Sequence, residues 1–243
     1  MALLEIRDVV VAFGGVIALD GVSLDAEIGQ VTGVIGPNGA GKTTLFNVVS
    51  GVQPARSGVV RYHGGDLRRR GPTARSRAGM ARTFQRIEVF GSLTVRENVL
   101  VGLEAYAPLR RRAAQLKAEA DELLDAVGIA EYAEARADAV PTGVARLVEV
   151  ARALATNPGL LLLDEPCSGL VEAETARFGE LLCRLAGQER AVVLVEHDMS
   201  LVMGCCDRVY VLDFGRVIAA GTPAEIQADP AVARAYLGTL DVA

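Results

Sequence analysis

The clearest chemical pattern in the sequence is a glycine-rich run at residues 36–43, which matches GxxxxGK[ST] and ends in Lys42 and Thr43. Glycines let backbone N–H groups turn toward an anion, and the N-terminus of a following helix adds positive potential. A lysine here neutralises phosphate oxygens, and a threonine hydroxyl is able to ligate Mg²⁺. The run is therefore predicted to bind nucleotide phosphates with Mg²⁺; the alternative is a chance loop.

The predicted nucleotide is ATP, because the sequence has no NKxD pattern of the kind that reads guanine. Lys42 is also expected to be catalytic, since it would neutralise oxygens of the β- and γ-phosphates. The residues expected to hold the nucleotide are Gly36, Pro37, Asn38, Gly39, Ala40, Gly41, Lys42, Thr43 and Thr44.

An acidic pair follows a second apolar run. Residues 160–163 are all leucine, and Asp164 and Glu165 come directly after them. A buried strand of this kind places both carboxylates at its carboxyl end, where the ligands of parallel sheets bind. We expect Asp164 to hold Mg²⁺, directly or through water, and Glu165 to orient or deprotonate an attacking water. The competing interpretation is an acidic strand end that caps a helix.

The elements that must position these residues alternate along the chain. Apolar runs at 31–35, 160–163 and 191–195 read as strands, and helices are predicted at 42–50, closed by Gly51, and at 172–186. The first segment alternates apolar and polar residues and turns at Gly14 and Gly15, as antiparallel strands do. We therefore predict an α/β fold with a mainly parallel central sheet covered on both faces and an antiparallel β portion.

A more helical region is predicted at about residues 86–157. Helical periodicity is found at 94–103, 113–127 and 146–155, and short strands with arginine-rich turns are expected at 57–84. A helical tail is predicted at 221–243, where Thr222 and Pro223 form a helix start and Gly238 ends a second helix. We expect one domain, 1–243, with the helical portion inserted in it.

Composition limits the class of protein. The chain has 243 residues, of which 51% are hydrophobic, enough for one compact core. Its apolar blocks are too short to span a bilayer, and Glu5, Arg7 and Asp8 interrupt any secretory signal, so we expect a cytoplasmic protein. The four cysteines lack the spacing of a zinc site or a disulfide framework.

A net charge of −5 argues against a nucleic-acid partner. The local basic run is interpreted as a solvated loop rather than a phosphate-binding patch. It consists of residues 68–70, Arg75 and Arg77.

Four motifs occur in the order and spacing of an ATP-binding cassette (ABC) transporter ATPase, and the resemblance covers essentially the whole chain. They are the phosphate loop, RTFQ at 82–85, the strand ending in Asp164 and Glu165, and EHD at 196–198. Several stretches, including AFGG at 12–15 and the tail at 221–238, resemble the ATPase subunits of branched-chain amino-acid importers.

The resemblance implies a role for three further residues. Phe13 would stack on adenine, although a plain core aromatic is a real competitor. Gln85 would couple Mg²⁺ and the attacking water to the membrane subunits. His197 would sense the γ-phosphate, whereas a lone histidine without this context would usually be structural.

Two stretches depart from the family pattern. Where the family carries an LSGGQ-like stretch, residues 140–144 retain only Gly143, and Pro141 supplies neither a hydroxyl nor an N–H. Val171 stands where the family usually has Asp or Asn. We hypothesise that the chain pairs with a different ATPase subunit and that the two nucleotide sites are unequal. The alternatives are a homodimer and two hydrolysing sites.

The predicted function is that of an ATP-hydrolysing subunit of an importer for branched-chain or related amino acids. By resemblance it would act with two transmembrane permease subunits, docked near Gln85 and residues 90–101, and with an external solute-binding protein. It would therefore sit peripherally on the inner face of the membrane. The rivals are a nucleotide-dependent cassette with little hydrolysis and an ABC ATPase that exports or extracts lipid.

Overall fold

The computed structural model describes residues 2–106 and 112–237. Two sheets are found in this part of the chain. An antiparallel sheet contains β1 (Ala2–Phe13), β2 (Val16–Glu27), β4 (Ser57–Tyr62) and β5 (Gly65–Asp66), in the order β2-β1-β4-β5. Its hairpin turns at Gly14 and Gly15, as the sequence predicted.

The second sheet has six strands in the order β10-β9-β3-β8-β7-β6. All neighbouring pairs are parallel except β9 with β10. The strands are β3 (Val31–Ile35), β6 (Met80–Arg82), β7 (Leu160–Asp164), β8 (Ala191–Val195), β9 (Arg208–Asp213) and β10 (Arg216–Gly221). The predicted mainly parallel sheet with an antiparallel portion is confirmed.

The helices are α1 (Lys42–Ser50), α2 (Pro72–Arg77), α3 (Val95–Tyr106), α4 (Ala113–Ala126), α5 (Thr142–Leu154), α6 (Glu172–Ala186), α7 (Met199–Cys205), α8 (Pro223–Ala228) and α9 (Pro230–Leu237). The predicted stop at Gly238 lies outside the described residues. A short 3₁₀ turn at Ala130–Tyr132 follows α4. Helices α3, α4 and α5 pack on one another and form the helical part of the fold.

The buried strands feed two hydrophobic clusters because successive side chains point to opposite faces of a sheet. Val192 and Leu194 of β8 join a cluster with the helices, whereas Val193 and Val195 join a cluster with the antiparallel sheet and α1. Helix α1 therefore lies between the two sheets. This arrangement fixes the N-terminus of α1 at the carboxyl end of β3.

Two local predictions require correction. The stretch predicted as short strands and turns contains α2, and Arg75 on it is buried rather than solvated. Its guanidinium donates to the carbonyls of Val48 and Val49, at 2.7 Å each, and so satisfies the last turn of α1. The helix predicted from residue 146 begins at Thr142, because Pro141 has a backbone angle that suits the position before a helix.

Candidate functional site

The glycine-rich run connects β3 to α1 in a shape that requires glycine. Gly36 has φ +149°, and a Cβ there would lie 2.0 Å from the carbonyl oxygen of Leu212. Gly41, just before α1, has φ +107°, and a Cβ there would lie 2.6 Å from the carbonyl oxygen of Ala18. Any larger residue at either point would collide with backbone, so the loop geometry depends on these two glycines.

Main-chain hydrogen bonds at the junction with β2 and the turn between β9 and β10 support this loop. The N–H of Gly215 donates to the carbonyl of Ala40 at 3.0 Å, and the N–H of Asp20 donates to the carbonyl of Gly215 at 2.8 Å. A Cβ added at Gly215 would lie 2.8 Å from the carbonyl oxygen of Ala18. The loop, β2 and the turn between β9 and β10 therefore meet through close main-chain contacts, to which the exposed ion pair of Arg216 with Asp20 adds a side-chain link.

Lys42 is a buried cation, only 8% exposed, at the start of α1. Its Nζ donates to the carbonyls of Gly36 at 2.7 Å and Pro37 at 3.0 Å. Burial lowers the pKa of Lys42, while Glu165 and Asp164 act in the opposite direction. Among the described residues no carboxylate lies within 4 Å of it. A desolvated ammonium held only by carbonyls gains most from an incoming anion.

Asp164 ends β7 and is also buried, with 2% of its surface exposed. Arg82, at the end of β6, donates a 2.9 Å hydrogen bond to its Oδ2. The same guanidinium donates to Asn47 Oδ1 at 2.7 Å and to Ser50 Oγ at 3.1 Å, both on α1. Burial raises the pKa of Asp164, and Arg82 opposes that rise. Arg82 thus ties the predicted metal-binding carboxylate to the helix that follows the phosphate loop.

Glu165 has a left-handed backbone, with φ +47°. Its N–H donates to the carbonyl of Val195 at 2.9 Å, and its Oε2 accepts a 2.8 Å hydrogen bond from Nε2 of Gln85. The structure therefore brings together two predicted catalytic residues that are far apart in sequence. The carboxylate is held by an uncharged donor, which leaves its negative charge unpaired by any cation in this contact.

His197 follows β8, the strand next to β7 in the sheet. Its imidazole side chain is 65% exposed, and Nδ1 lies 3.6 Å from Oε2 of Glu196. The Glu196 side chain is fully buried, and its carboxylate accepts N–H groups of Cys167 and His197, both at 2.9 Å. Glu196 thereby joins the segments after β7 and β8. His197 is exposed enough to meet a ligand.

Phe13 lies at the end of β1, in the antiparallel sheet, and is 51% exposed. Its backbone pairs with Val16 across the hairpin. A plain core aromatic would be buried, so the competing interpretation of Phe13 is wrong. Adenine stacking stays a prediction.

Sequence reasoning did not single out four charged residues that the structure places at the site. Arg82 and Glu196 were only parts of motifs, and Arg146 and Glu149 lay within a predicted amphipathic helix. Arg146 donates to the carbonyl of Gln85 at 2.7 Å. A signal was present for the last two, because opposite charges three residues apart interrupt an otherwise apolar stretch of α5.

Family comparison agrees with this geometry. Residues 19–168 match the family model described as ABC transporter, which spans well over half of the chain. This chain belongs to the ABC transporter ATP-binding family. Residues 216–241 match a second model, described as branched-chain amino acid ATP-binding cassette transporter. As a member of this family, the chain is a nucleotide-binding cassette.

Relatives extend along nearly the whole chain. It is 37% identical to LivG, the high-affinity branched-chain amino acid transport ATP-binding protein of Salmonella typhimurium, over 97% of this chain and 98% of LivG. It is 33% identical to LptB, the lipopolysaccharide export system ATP-binding protein of Escherichia coli, over 98% of both chains. A solved ATP-binding cassette of an ABC transporter, in its ADP conformation, superimposes with a TM-score of 0.90 at 30% identity, covering 98% of this chain and 99% of that one.

The C-terminal part of this chain matches branched-chain amino acid cassettes, and the identity to LivG, 37%, is higher than the identity to LptB, 33%. The lipid-export interpretation is therefore not favoured, and an ABC importer ATPase is the function that fits. Within 2–106 and 112–237, none of the helices combines the length and the apolar character that crossing a membrane requires.

Proposed function

We propose that this chain hydrolyses ATP to energise a membrane importer of branched-chain or related amino acids. The observation that carries the proposal is Lys42, a buried ammonium at the start of α1 that only carbonyl groups contact. The names of its relatives and the match to the branched-chain cassette model support the substrate class. Other amino acids, urea and short amides stay open as substrates.

The residues present fit Mg²⁺ of the kind held jointly by protein and phosphate. In the part of the chain that the structure describes, no group of three or more His, Cys, Asp or Glu side chains is arranged to hold a metal ion by itself. Mg²⁺ commonly takes only one or two protein ligands and completes its shell with phosphate oxygens and water. Thr43, Asp164 and Gln85 are the residues that would hold it. When bound, it would neutralise charge that develops on the phosphates.

The side chains of this chain divide the reaction between them. Lys42 neutralises phosphate oxygens, and Glu165 aligns the water that attacks the γ-phosphoryl group in line. Gln85 holds the Glu165 carboxylate in place through its 2.8 Å hydrogen bond. His197 contacts the γ-phosphate from the end of the neighbouring strand, and Phe13 stacks on adenine.

The membrane subunits are proposed to dock in a groove between the helical part and the sheet. The groove has a volume of about 620 Å³ and lies beside Gln85. Five exposed apolar side chains line it, which suits an apolar segment of a permease. They are Val52, Phe84, Phe90, Val101 and Tyr106. Two such permease subunits would hold the chain at the cytoplasmic face of the membrane, and an external solute-binding protein would complete the importer on the other side.

A second ATPase subunit is proposed to complete the two nucleotide sites, and the start of α5 favours a different partner over a second copy. Pro141 directly precedes α5 and provides neither a hydroxyl nor an N–H. Gly143 is buried against Glu174 and Leu170, and Val171 is 64% exposed without a polar group. The chain would then offer its partner a weak site while its own phosphate loop stays competent. Mutation of the partner's phosphate-loop lysine would in that case leave most ATP turnover intact.

The test is the ATPase activity of this chain purified with the subunits that co-purify with it. Lys42→Ala should lose binding and turnover, and Glu165→Gln should keep ATP binding but lose turnover by about 100-fold or more. Glu180→Gln, on the surface of α6, is the matched control and should behave as the wild type. Turnover lost in both site variants, with membrane subunits present, supports the proposal. Tight ATP binding without turnover in the wild type would instead favour a regulatory cassette.

A further inference from the structure

Helix α5 carries an ion pair inside the protein. Nη1 of Arg146 lies 3.3 Å from Oε2 of Glu149, and their side chains are 7% and 4% exposed. Burying two charges costs several kcal/mol per ion, about as much as their mutual attraction returns. Replacement by apolar residues would often be neutral for stability, so the pair points to a role beyond holding α5 in place.

Both members of the pair also contact the main chain of residues 84–88. Arg146 donates to the carbonyls of Phe84 at 3.2 Å and Gln85 at 2.7 Å. Glu149 accepts the N–H of Glu88 through Oε1 at 2.8 Å. One turn further along α5, Arg152 donates to the carbonyl of Glu88 at 2.5 Å. The segment is thus held on both sides of Gln85.

These contacts matter because nothing else of this kind holds the segment. Residues 84–88 belong to no helix or strand. Among the residues that the structure describes, their main chain makes no hydrogen bond to another main-chain group. Every side-chain hydrogen bond to that main chain comes from α5. The main chain of the segment is therefore fixed by hydrogen bonds from α5, while its side chains also reach Arg82 and Glu165.

We propose that Arg146 and Glu149 are positioning residues for Gln85. They fix the backbone from which the Gln85 side chain reaches Glu165, and this role rests on the proposed function of ATP hydrolysis. A misplacement of about 1 Å in such a constellation costs on the order of 100-fold in rate. A displacement of α5 would be transmitted to Gln85 through three side chains rather than through a flexible loop.

Helix α5, which carries the clamp formed by Arg146 and Glu149, also reaches two surfaces at which partner subunits are proposed to bind. Thr142 and Gly143 begin this helix, at the stretch that would face the partner subunit's nucleotide. Glu149 and Arg152 line the groove proposed for the membrane subunits. One rigid helix thus connects both of these surfaces with the glutamine of this chain's own site.

The first arm of the test observes the segment directly in the full chain. The sequence contains no tryptophan, so Phe84→Trp gives a single fluorescent reporter within the segment. Arg146→Ala and Glu149→Leu, which removes the acceptor of the Glu88 N–H, should each increase acrylamide quenching and lower the anisotropy of this tryptophan. Arg146→Lys, which retains one cationic donor, should fall between Arg146→Ala and the parent. Arg184→Ala is the control, because Arg184 on α6 donates to the carbonyl of Ala126 and not to the segment.

The second arm measures ATP turnover in the assembled complex. Arg146→Ala should lower kcat by about 10-fold or more while KM for ATP changes little, because the phosphate loop is untouched. Arg146→Lys should recover part of the loss. Reporter signals and kcat values equal to those of Arg184→Ala would overturn the proposal, as would a loss confined to KM. If the wild-type complex shows no turnover, the proposed function fails, and the reporter arm alone decides on the clamp.

Discussion

Nε2 of Gln85 donates a 2.8 Å hydrogen bond to Oε2 of Glu165, across 80 residues of sequence. The contact joins the segment after β6 to the segment after β7, two neighbouring parallel strands. It gives the carboxylate that we propose to be catalytic a neutral partner, which fixes its orientation without cancelling its charge. The role of Gln85 can therefore be tested by changing the charge of that partner.

Gln85→Ala should reduce turnover more than ATP binding, because it removes the group that orients Glu165 and one proposed Mg²⁺ ligand but leaves the phosphate loop intact. Gln85→Glu should reduce turnover further, because two carboxylates at this distance repel and the pKa of the pair rises. Protonation would then restore a donor, so the activity of Gln85→Glu relative to wild type should increase as the pH falls. Phosphate release between about pH 6 and about pH 8 measures this. A ratio independent of pH would contradict it.

Arg82→Gln should destabilise the protein by about 3 to 5 kcal/mol at neutral pH, because it leaves the buried Asp164 carboxylate without its cation. Burial already raises the pKa of Asp164, and loss of Arg82 would raise it further. The destabilisation is fully present above that raised pKa and should shrink as Asp164 becomes protonated in acid. Urea unfolding at several pH values measures the change.

The matched control for Arg82 is Arg216→Gln, which breaks the exposed pair between Arg216 and Asp20. A surface pair contributes about 1 kcal/mol or less, so this variant should unfold nearly as the wild type does. Equal losses in the two variants would show that burial of the Arg82 pair has no energetic consequence.

Gly36→Ala should abolish nucleotide binding, since its Cβ would lie 2.0 Å from a backbone oxygen. Gly39→Ala is the comparison within the same loop. Gly39 also has a positive φ, +81°, but a Cβ there meets nothing within 4 Å. It should cost only about 1 to 2 kcal/mol of backbone strain and keep measurable binding. Titration with a fluorescent ATP analogue separates the two, and similar affinities would refute the steric argument.

Asp198→Ala should lower the unfolding free energy by about 1 kcal/mol, because Asp198 caps α7. The Ser200 hydroxyl, followed by the N–H groups of Leu201 and Ser200, lowers the pKa of Asp198. Its contribution is therefore present above the ordinary aspartate range and is lost as the pH falls through the lowered pKa. Asp198→Asn, which retains a capping oxygen, should lose less. Thermal unfolding at neutral and acidic pH compares the two.

The sequence predicted best what local patterns determine. The apolar run at 31–35 predicted β3, and Gly51 predicted the end of α1. Thr222 and Pro223 predicted the start of α8, where Thr222 is the cap and Pro223 the first helical residue. Asp164 follows its leucine strand because an all-apolar run can only be buried. These elements agree because periodicity, caps and breakers all act within a few residues.

Contacts between distant segments were not predictable in this way. Arg75 was expected in solvent, yet it reaches carbonyls at the end of α1, because a guanidinium with five donors satisfies helix ends as well as it binds water. Arg82 meets a carboxylate 82 residues later in the chain. The register that brings β6 beside β7 decides this contact, and no single-sequence pattern encodes it.

The close main-chain junction of the phosphate loop, β2 and the turn between β9 and β10 has a consequence for the history of this protein. Main-chain hydrogen bonds do not depend on side-chain identity, so a half-exposed position such as Ala18 can change without altering the geometry, whereas Ala40 is buried and leaves no room for a larger residue. Gly41 and Gly215 cannot change in this way, because any other residue at either position would place its Cβ against a backbone oxygen. Phe214, beside them, is 86% exposed, so its side chain can change without loss of core packing, among the residues that tolerate its left-handed φ of +42°. Relatives should therefore differ widely at this turn while both glycines persist.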